Sequence, residues 1–190
     1  YSPAVSSTIR FVTADGTVIT RTISALESLP IEVGIYPDIT IALLDSDLPA
    51  SIGFHKVLPD GWENYIPLQN VPLVVLDKDE KALCTEMESL SIVSPLQLIC
   101  TEPTDADRLD FYEALVSGDS GHPFLAPING ELVLIAVAVG GGAGSGTSVS
   151  GFLSELNALM TTLGGGYQLT EIDVTAFTPV PSPAPTPTLS

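Results

Sequence analysis

The feature that most constrains the fold is a series of short strand-like runs, each ended within a few residues by glycine, proline or aspartate. The first two runs, 9–13 and 17–22, flank the dipeptide Asp15-Gly16. Alternating segments around an Asp-Gly dipeptide are typical of a β-hairpin. Further strand-like runs occupy residues 39–44, 71–76, 83–93, 96–100 and 132–139. Short strands separated by turn residues predict an all-β barrel or sandwich.

One segment has helical spacing. Apolar residues recur at three- and four-residue intervals over 152–163, and Gly164 follows as a stop signal. Residues 167–177 are predicted to form an additional terminal strand. In 178–190 proline alternates with small residues, which predicts an extended linker or stalk that could lead to a further domain.

Composition narrows the classes of partner. Six basic residues against 23 acidic ones give a net charge of −17, which repels nucleic-acid phosphates and anionic lipid headgroups. We therefore expect neither nucleic acid nor a membrane as partner. The acidic residues are interpreted as the solvated surface of a secreted or extracellular protein rather than as an acidic binding face.

The strongest chemical signal is Ser120, which lies between two glycines in the segment GDSGHP at 118–123. A serine hydroxyl is a weak nucleophile until a base takes its proton, and the oxyanion that it generates requires nearby backbone N–H donors. Glycines on both sides allow a tight turn and a close approach of that backbone. The alternative is a glycine-rich turn that carries no chemistry.

This segment resembles the Gly-Asp-Ser-Gly-Gly-Pro motif of chymotrypsin-like serine peptidases and differs from it only at His122. The resemblance implies a nucleophilic Ser120 and an oxyanion hole at the N–H groups of Gly118 and Ser120. It also implies two antiparallel β-barrels, hydrolysis of polypeptides by acyl transfer, and no metal or cofactor. Because the family's usual cysteines are missing, the resemblance is to a distant, microbial branch.

The family orders its triad as His, Asp and Ser, so the resemblance implies an aspartate ahead of a buried strand. Asp38 precedes the apolar run 39–44 in a segment similar to the family's Asp-Ile-Ala-Leu-Leu. A direct alignment of 41–44 would place Thr40 at the aspartate position, so Asp38 is the candidate if the strand is longer or bulged. An aspartate in a surface turn is the alternative.

The general base is not evident in this sequence. The only histidines are His55 and His122, and neither precedes Asp38. The family order would put the catalytic histidine just upstream of Tyr1, so we expect the chain to be cut before or at it. His55 is interpreted as a surface-loop residue, and His122 as structural or substrate-facing.

The resemblance also locates a specificity pocket. Ala114, six residues before Ser120, would form its floor, and Val139 and Gly140 would lie in its wall. With no carboxylate at the floor, the pocket is expected to accept small or apolar side chains rather than Lys or Arg. Glu113 would change this preference if the register of the loop slips by one residue.

The predicted layout is one peptidase-like domain at 1–177. It comprises an incomplete first barrel at about 1–76, a second barrel with the helix at about 83–163, and the additional strand at 164–177. Cys84 and Cys100 are interpreted as two buried thiols, with a disulfide across a hairpin as the alternative.

The rival functional hypothesis keeps the same fold. In it, the chain is a catalytically inactive secreted binding or surface module. A histidine upstream of Tyr1 would favour the peptidase, and its absence would favour the module.

Overall fold

The computed structural model of the chain describes residues 4–30, 37–65, 70–91 and 97–175. Within them, nine strands form a closed six-stranded barrel and a separate three-stranded sheet. The protein is therefore all-β, as the sequence predicted. None of the helices in the described ranges is long and apolar enough to cross a membrane.

The three-stranded sheet is antiparallel, in the order β1-β2-β3. Its strands are β1 (Thr8–Val12), β2 (Val18–Ser28) and β3 (Thr40–Leu44). The predicted hairpin is confirmed, because Val12 pairs with Val18 across a turn in which Gly16 has a φ of +84°. The β3 strand also falls within its predicted run.

The barrel is closed in the order β4-β5-β6-β9-β8-β7. Its strands are β4 (Val71–Leu76), β5 (Ala82–Leu90), β6 (Gln97–Thr101), β7 (Pro123–Ile128), β8 (Glu131–Gly140) and β9 (Ser145–Ser148). Four of them match predicted runs, whereas β7 and β9 do not. The β7 strand contains two prolines, which are unusual within strands, so it was not predicted. The Asn129-Gly130 turn that joins β7 to β8 is nevertheless a strong hairpin signal.

The barrel interior is filled by fully buried apolar side chains. Leu73, Leu98, Phe124 and Ile135 are at most 1% exposed and belong to one cluster. The Phe124 ring lies against Gly144, where an added Cβ would be 2.6 Å from the ring carbon Cζ. Gly144 thus makes room for the aromatic ring at the centre of the barrel.

Two α-helices follow the strands at different points of the chain: the short α1 (Ala106–Leu109) and α2 (Leu153–Leu163). The predicted C-terminal helix is therefore confirmed. Phe152 and Leu156 are buried in a second cluster with Ile39 and Val57. This cluster packs α2 and the three-stranded sheet against the outside of the barrel.

The predicted terminal strand over 167–177 is wrong for its described part, which ends at Thr175. Glu171 forms an isolated parallel bridge with Val57, and no further ladder is built there. The reason is that side chains capture the neighbouring donors. Asn157 Oδ1 accepts from Leu169 N–H at 2.8 Å, and Asp173 Oδ1 accepts from Thr175 N–H at 2.9 Å. The tail at 178–190 lies outside the described residues.

The two cysteines are free thiols. Cys84 lies opposite Val74 and Cys100 opposite Met87, so a hairpin does not bring the two cysteines face to face. Cys100 is buried, and burial raises the pKa of its thiol to about 12. Cys84 is only half-buried. The prediction of unbonded thiols is confirmed.

The packing around Phe124 yields the first prediction. Phe124→Ala should lower the free energy of unfolding by about 3–5 kcal/mol, because it removes a fully buried ring and leaves a cavity. Phe111→Ala is the matched control, since Phe111 is 62% exposed and should change stability by less than ~0.5 kcal/mol. Urea unfolding measures both. Equal losses would contradict the assigned core.

Candidate active site

Ser120 lies at the exposed tip of a tight turn that leads into β7. Gly118 has a φ of +107° and Gly121 a φ of +92°, in a region that side chains other than glycine's rarely adopt. The turn is fixed to β8, because Gly121 N–H donates to Ala138 O at 2.8 Å. The flanking glycines are therefore a geometric requirement of the turn that presents Ser120.

Asp119 points in the opposite sense, into the protein, and is 3% exposed. Its Oδ2 accepts a hydrogen bond from Val116 N–H at 2.6 Å, and its Oδ1 accepts one from Lys78 N–H at 2.9 Å. These donors, Val116 first and then Lys78, hold the pKa of the Asp119 carboxyl below its usual value. The buried carboxylate stays ionised and ties the turn to the β4–β5 connection.

Two main-chain N–H groups of the Ser120 turn are available to bind a ligand. Within the described ranges, neither the N–H of Gly118 nor that of Ser120 is hydrogen bonded to the chain, and the Ser120 hydroxyl has no partner. Both residues are exposed. Two unengaged N–H groups beside a free hydroxyl can hydrogen bond to an anionic oxygen that forms next to Ser120.

The structure does not pair either histidine with Ser120. His122 Nδ1 lies 2.9 Å from Asp119 O; because a carbonyl only accepts, this nitrogen carries the proton. His55 Nδ1 lies 2.9 Å from Leu132 O, at the opposite end of β8 from the Ser120 turn. Both imidazole rings are therefore hydrogen bonded to main-chain carbonyl groups.

Asp38 is exposed and immediately precedes β3. The next residue, Ile39, is buried in the cluster that Val137 of β8 packs against, and Val137 pairs with Pro123 at the end of the Ser120 turn. Residues of β3 and of β8 therefore pack in the same cluster. No hydrogen bond joins Asp38 to Ser120 or His122 among the described residues.

The predicted pocket residues lie on two segments joined by a pair of hydrogen bonds. Leu115 N–H donates to Gly142 O at 2.8 Å, and Gly142 N–H donates to Leu115 O at 3.0 Å. The exposed Ala114 adjoins this bridge on one side, and the half-buried Val139 and Gly140 precede it on the other.

Glu113 does not take the place of Ala114. Its carboxylate forms a surface ion pair with Lys81 Nζ at 3.0 Å, with both side chains more than half exposed. In the structure, the Glu113 carboxylate is thus engaged by Lys81.

A cavity of about 660 Å³ lies between β3, the end of α2 and residues 164–170. Its lining is mostly apolar, and the Tyr167 hydroxyl at its edge donates to the Asp47 carboxylate. Because Ser120 does not line this cavity, the candidate reaction is not placed there.

Sequence reasoning missed the main-chain partners of Asp119. In the predicted layout, residues 77–81 only separate the first barrel from the second. Asp77 at its start is a signal for a turn in which an aspartate oxygen accepts from N–H groups that follow it. Nothing in a sequence pattern indicates that Lys78 N–H would meet Asp119, because the two residues are 41 positions apart.

Comparisons with known proteins bear on the fold. No known family profile matches the chain, and no curated protein sequence does. Among solved structures, a mutant of human heparin-binding protein matches with a TM-score of 0.53 and 16% identity, over 80% of this chain and 70% of that one. That structure is chymotrypsin-like. The chain has a chymotrypsin-like fold. At 16% identity the similarity shows the fold alone.

The Asp119 contacts yield a prediction on pH. Because the folded-state pKa is lowered, the stabilisation is complete above the usual value of 3.8 and is lost as pH falls through the lower, folded-state value. Asp119→Asn should cost about 1–3 kcal/mol at pH 7, because the amide has one acceptor oxygen and its NH2 group would leave either Val116 N–H or Lys78 N–H without an acceptor. The cost should shrink below about pH 4 as the wild-type carboxylate protonates.

Unfolding free energies between pH 7 and pH 2 test this prediction. Asp110→Asn is the control, because Asp110 is exposed and its side chain forms no hydrogen bond or ion pair within the described part of the chain, so the effect on stability should stay within ~0.5 kcal/mol. A pH-independent cost of Asp119→Asn would show that the ionised carboxylate is not what stabilises the turn.

Proposed function

We propose that the chain carries the nucleophile of a serine peptidase centre. Ser120 would attack a peptide carbonyl, and the N–H groups of Gly118 and Ser120 would hold the resulting oxyanion. The observation that carries this proposal is the turn itself. It presents an unbonded serine hydroxyl between two glycines of positive φ and leaves both N–H groups unengaged.

The reaction is acyl transfer. A bond forms between Ser120 Oγ and the carbonyl carbon while a base takes the hydroxyl proton; the C–N bond then breaks, and the base returns the proton to the leaving amine. Water next hydrolyses the acyl-enzyme. Because neither His55 nor His122 is hydrogen bonded to Ser120 among the described residues, we propose that the base is a histidine outside these 190 residues. We assign its orientation to Asp38.

The substrate class follows from charge. We propose an extracellular peptidase that cleaves polypeptides after small or apolar residues, since Ala114 offers no carboxylate and Glu113 is paired with Lys81. The heparin-binding property named for the structural neighbour is not proposed here. A net charge of −17 would repel that polyanion, as it would nucleic acid and anionic membranes.

A second candidate is an inactive binding module of the same fold. It is favoured by one observation: within the described residues, Ser120, Asp38 and the two histidines are not connected by hydrogen bonds. The experiments below separate the two candidates.

The proposal predicts chemical rescue of the missing base. Alone, the chain should hydrolyse peptide esters no faster than its Ser120→Ala variant, because a serine without its base is a weak nucleophile. With added imidazole, the chain should exceed Ser120→Ala by about tenfold or more, less than the full gain of a positioned base. Ester hydrolysis at increasing imidazole concentration measures this difference.

Ser117→Ala is the matched control for the rescue, since Ser117 is exposed in the same turn. It should behave like the wild type. If wild type and Ser120→Ala respond equally to imidazole, Ser120 is not a nucleophile and the binding module is preferred. Full activity without imidazole that is abolished by His122→Ala would instead make His122 the base.

The pocket predicts a preference among ester side chains. Under imidazole rescue, alanyl and leucyl esters should react more than about a hundredfold faster than lysyl or arginyl esters. An unpaired, desolvated cation costs several kcal/mol, and ~3 kcal/mol is already over a hundredfold in rate. A preference for lysyl esters that disappears in Glu113→Gln would mean that Glu113 reaches the pocket.

A further inference from the structure

The β4–β5 connection (residues 77–81) contacts the Ser120 turn through the main chain. Lys78 N–H donates to Asp119 Oδ1 at 2.9 Å. The stem of the Lys78 side chain also lies over Gly118, where an added Cβ would be 3.1 Å from Lys78 Cδ. The position of the Lys78 N–H, and with it the support of Asp119, therefore depends on the shape of the 77–81 turn.

Two main-chain hydrogen bonds close this turn, from Asp77 N–H to Lys81 O and from Glu80 N–H to Asp77 O, both at 3.1 Å, and the side chain of Asp77 adds two more. Asp77 is only 7% exposed, and its Oδ1 accepts hydrogen bonds from Asp79 N–H at 2.9 Å and from Lys81 N–H at 2.8 Å. Within the turn, Glu80 has a φ of +64°, which a residue other than glycine adopts at an energetic cost. The Asp77 carboxylate offsets this cost by satisfying two donors at once.

We infer that Asp77 is a positioning residue for Ser120. It holds the 77–81 turn so that Lys78 N–H remains on Asp119, and Asp119 in turn holds the segment from Val116 to Ser120. The inference rests on the proposed function for the role of Ser120 as nucleophile. The mechanical link between the two turns can be measured without any activity.

Three variants separate the carboxylate's role from general destabilisation. Asp77→Ala removes both accepted hydrogen bonds, whereas Asp77→Asn keeps an oxygen that can accept them. Asp79→Ala is the matched control from the same turn, because the Asp79 side chain bonds to Lys78 Nζ at 2.8 Å rather than to the main chain of the turn.

Amide hydrogen exchange followed by mass spectrometry tests the link. In Asp77→Ala, exchange should accelerate about tenfold, equivalent to ~1.4 kcal/mol, both at the hydrogen-bonded amides of 78–81 and at those of 116–121, namely Val116, Asp119 and Gly121. Asp77→Asn and Asp79→Ala should stay within about twofold of the wild type. Acceleration at 78–81 with an unchanged 116–121 segment would overturn the inference.

The reciprocal variant keeps the test decisive if Asp77→Ala does not fold. Asp119→Ala should then accelerate exchange at 78–81, and wild-type rates there would equally overturn the link. Imidazole-rescued ester hydrolysis gives the second readout: it should fall with Asp77→Ala and recover with Asp77→Asn. If exchange in the two turns is coupled but no hydrolysis depends on Ser120, the proposed function is contradicted while the link between the turns stands. If hydrolysis in Asp77→Ala equals that of the wild type, the positioning role of Asp77 is contradicted.

Discussion

The candidate site depends on one buried carboxylate. Asp119 accepts main-chain hydrogen bonds from Val116 and Lys78, and in doing so joins the turn that carries Ser120 to the β4–β5 connection. A buried charge without such partners would be strongly unfavourable, so these two donors are what allow the carboxylate to lie inside the protein. With Asp119 held inward, the adjacent Ser120 is directed outward, where a substrate can reach it.

The barrel provides the rigid support for this arrangement. The Ser120 turn enters β7 at Pro123, and β7 is held between β4 and β8 with Phe124 at its buried centre. The second cluster, around Val57 and Leu156, then packs the three-stranded sheet and α2 on the outside of the barrel. The second cluster thus joins the strand that follows Asp38 to the barrel that carries Ser120, and the catalytic pairing of these two residues is our proposal.

Much of the fold could be predicted because its signals are local. Alternating residues and turn dipeptides indicated most strands, and apolar spacing indicated α2. The strands that escaped prediction lack such signals: β9 consists of four small residues, and β7 contains Pro123 and Pro127. The terminal strand was predicted wrongly over 167–175, because nothing in that segment indicates that the distant Asn157 side chain accepts a hydrogen bond from Leu169 N–H.

In the candidate site too, local features could be predicted from sequence and long-range contacts could not. Ser120 and its glycines form a contiguous motif, so the tight turn was predictable from sequence, and the structure adds the positive φ of Gly118 and Gly121. The partners of Asp119 were not predictable, because every residue except proline has a main-chain N–H group and the residue type does not show which one bonds to Asp119. Likewise, a bulge between Met87 and Ser89 shifts the register of β5 against β6. No sequence pattern indicates this shift, which sets the residue that lies opposite Cys100.

The central claim is that Ser120 is an activatable nucleophile. The most direct measurement is covalent labelling with a fluorophosphonate in the presence of imidazole, followed by cleavage after glutamate and mass spectrometry of the 114–131 peptide. The account predicts one phosphonyl adduct, located on Ser120 and not on Ser117. An unlabelled peptide, or label divided evenly between the two serines, would contradict it.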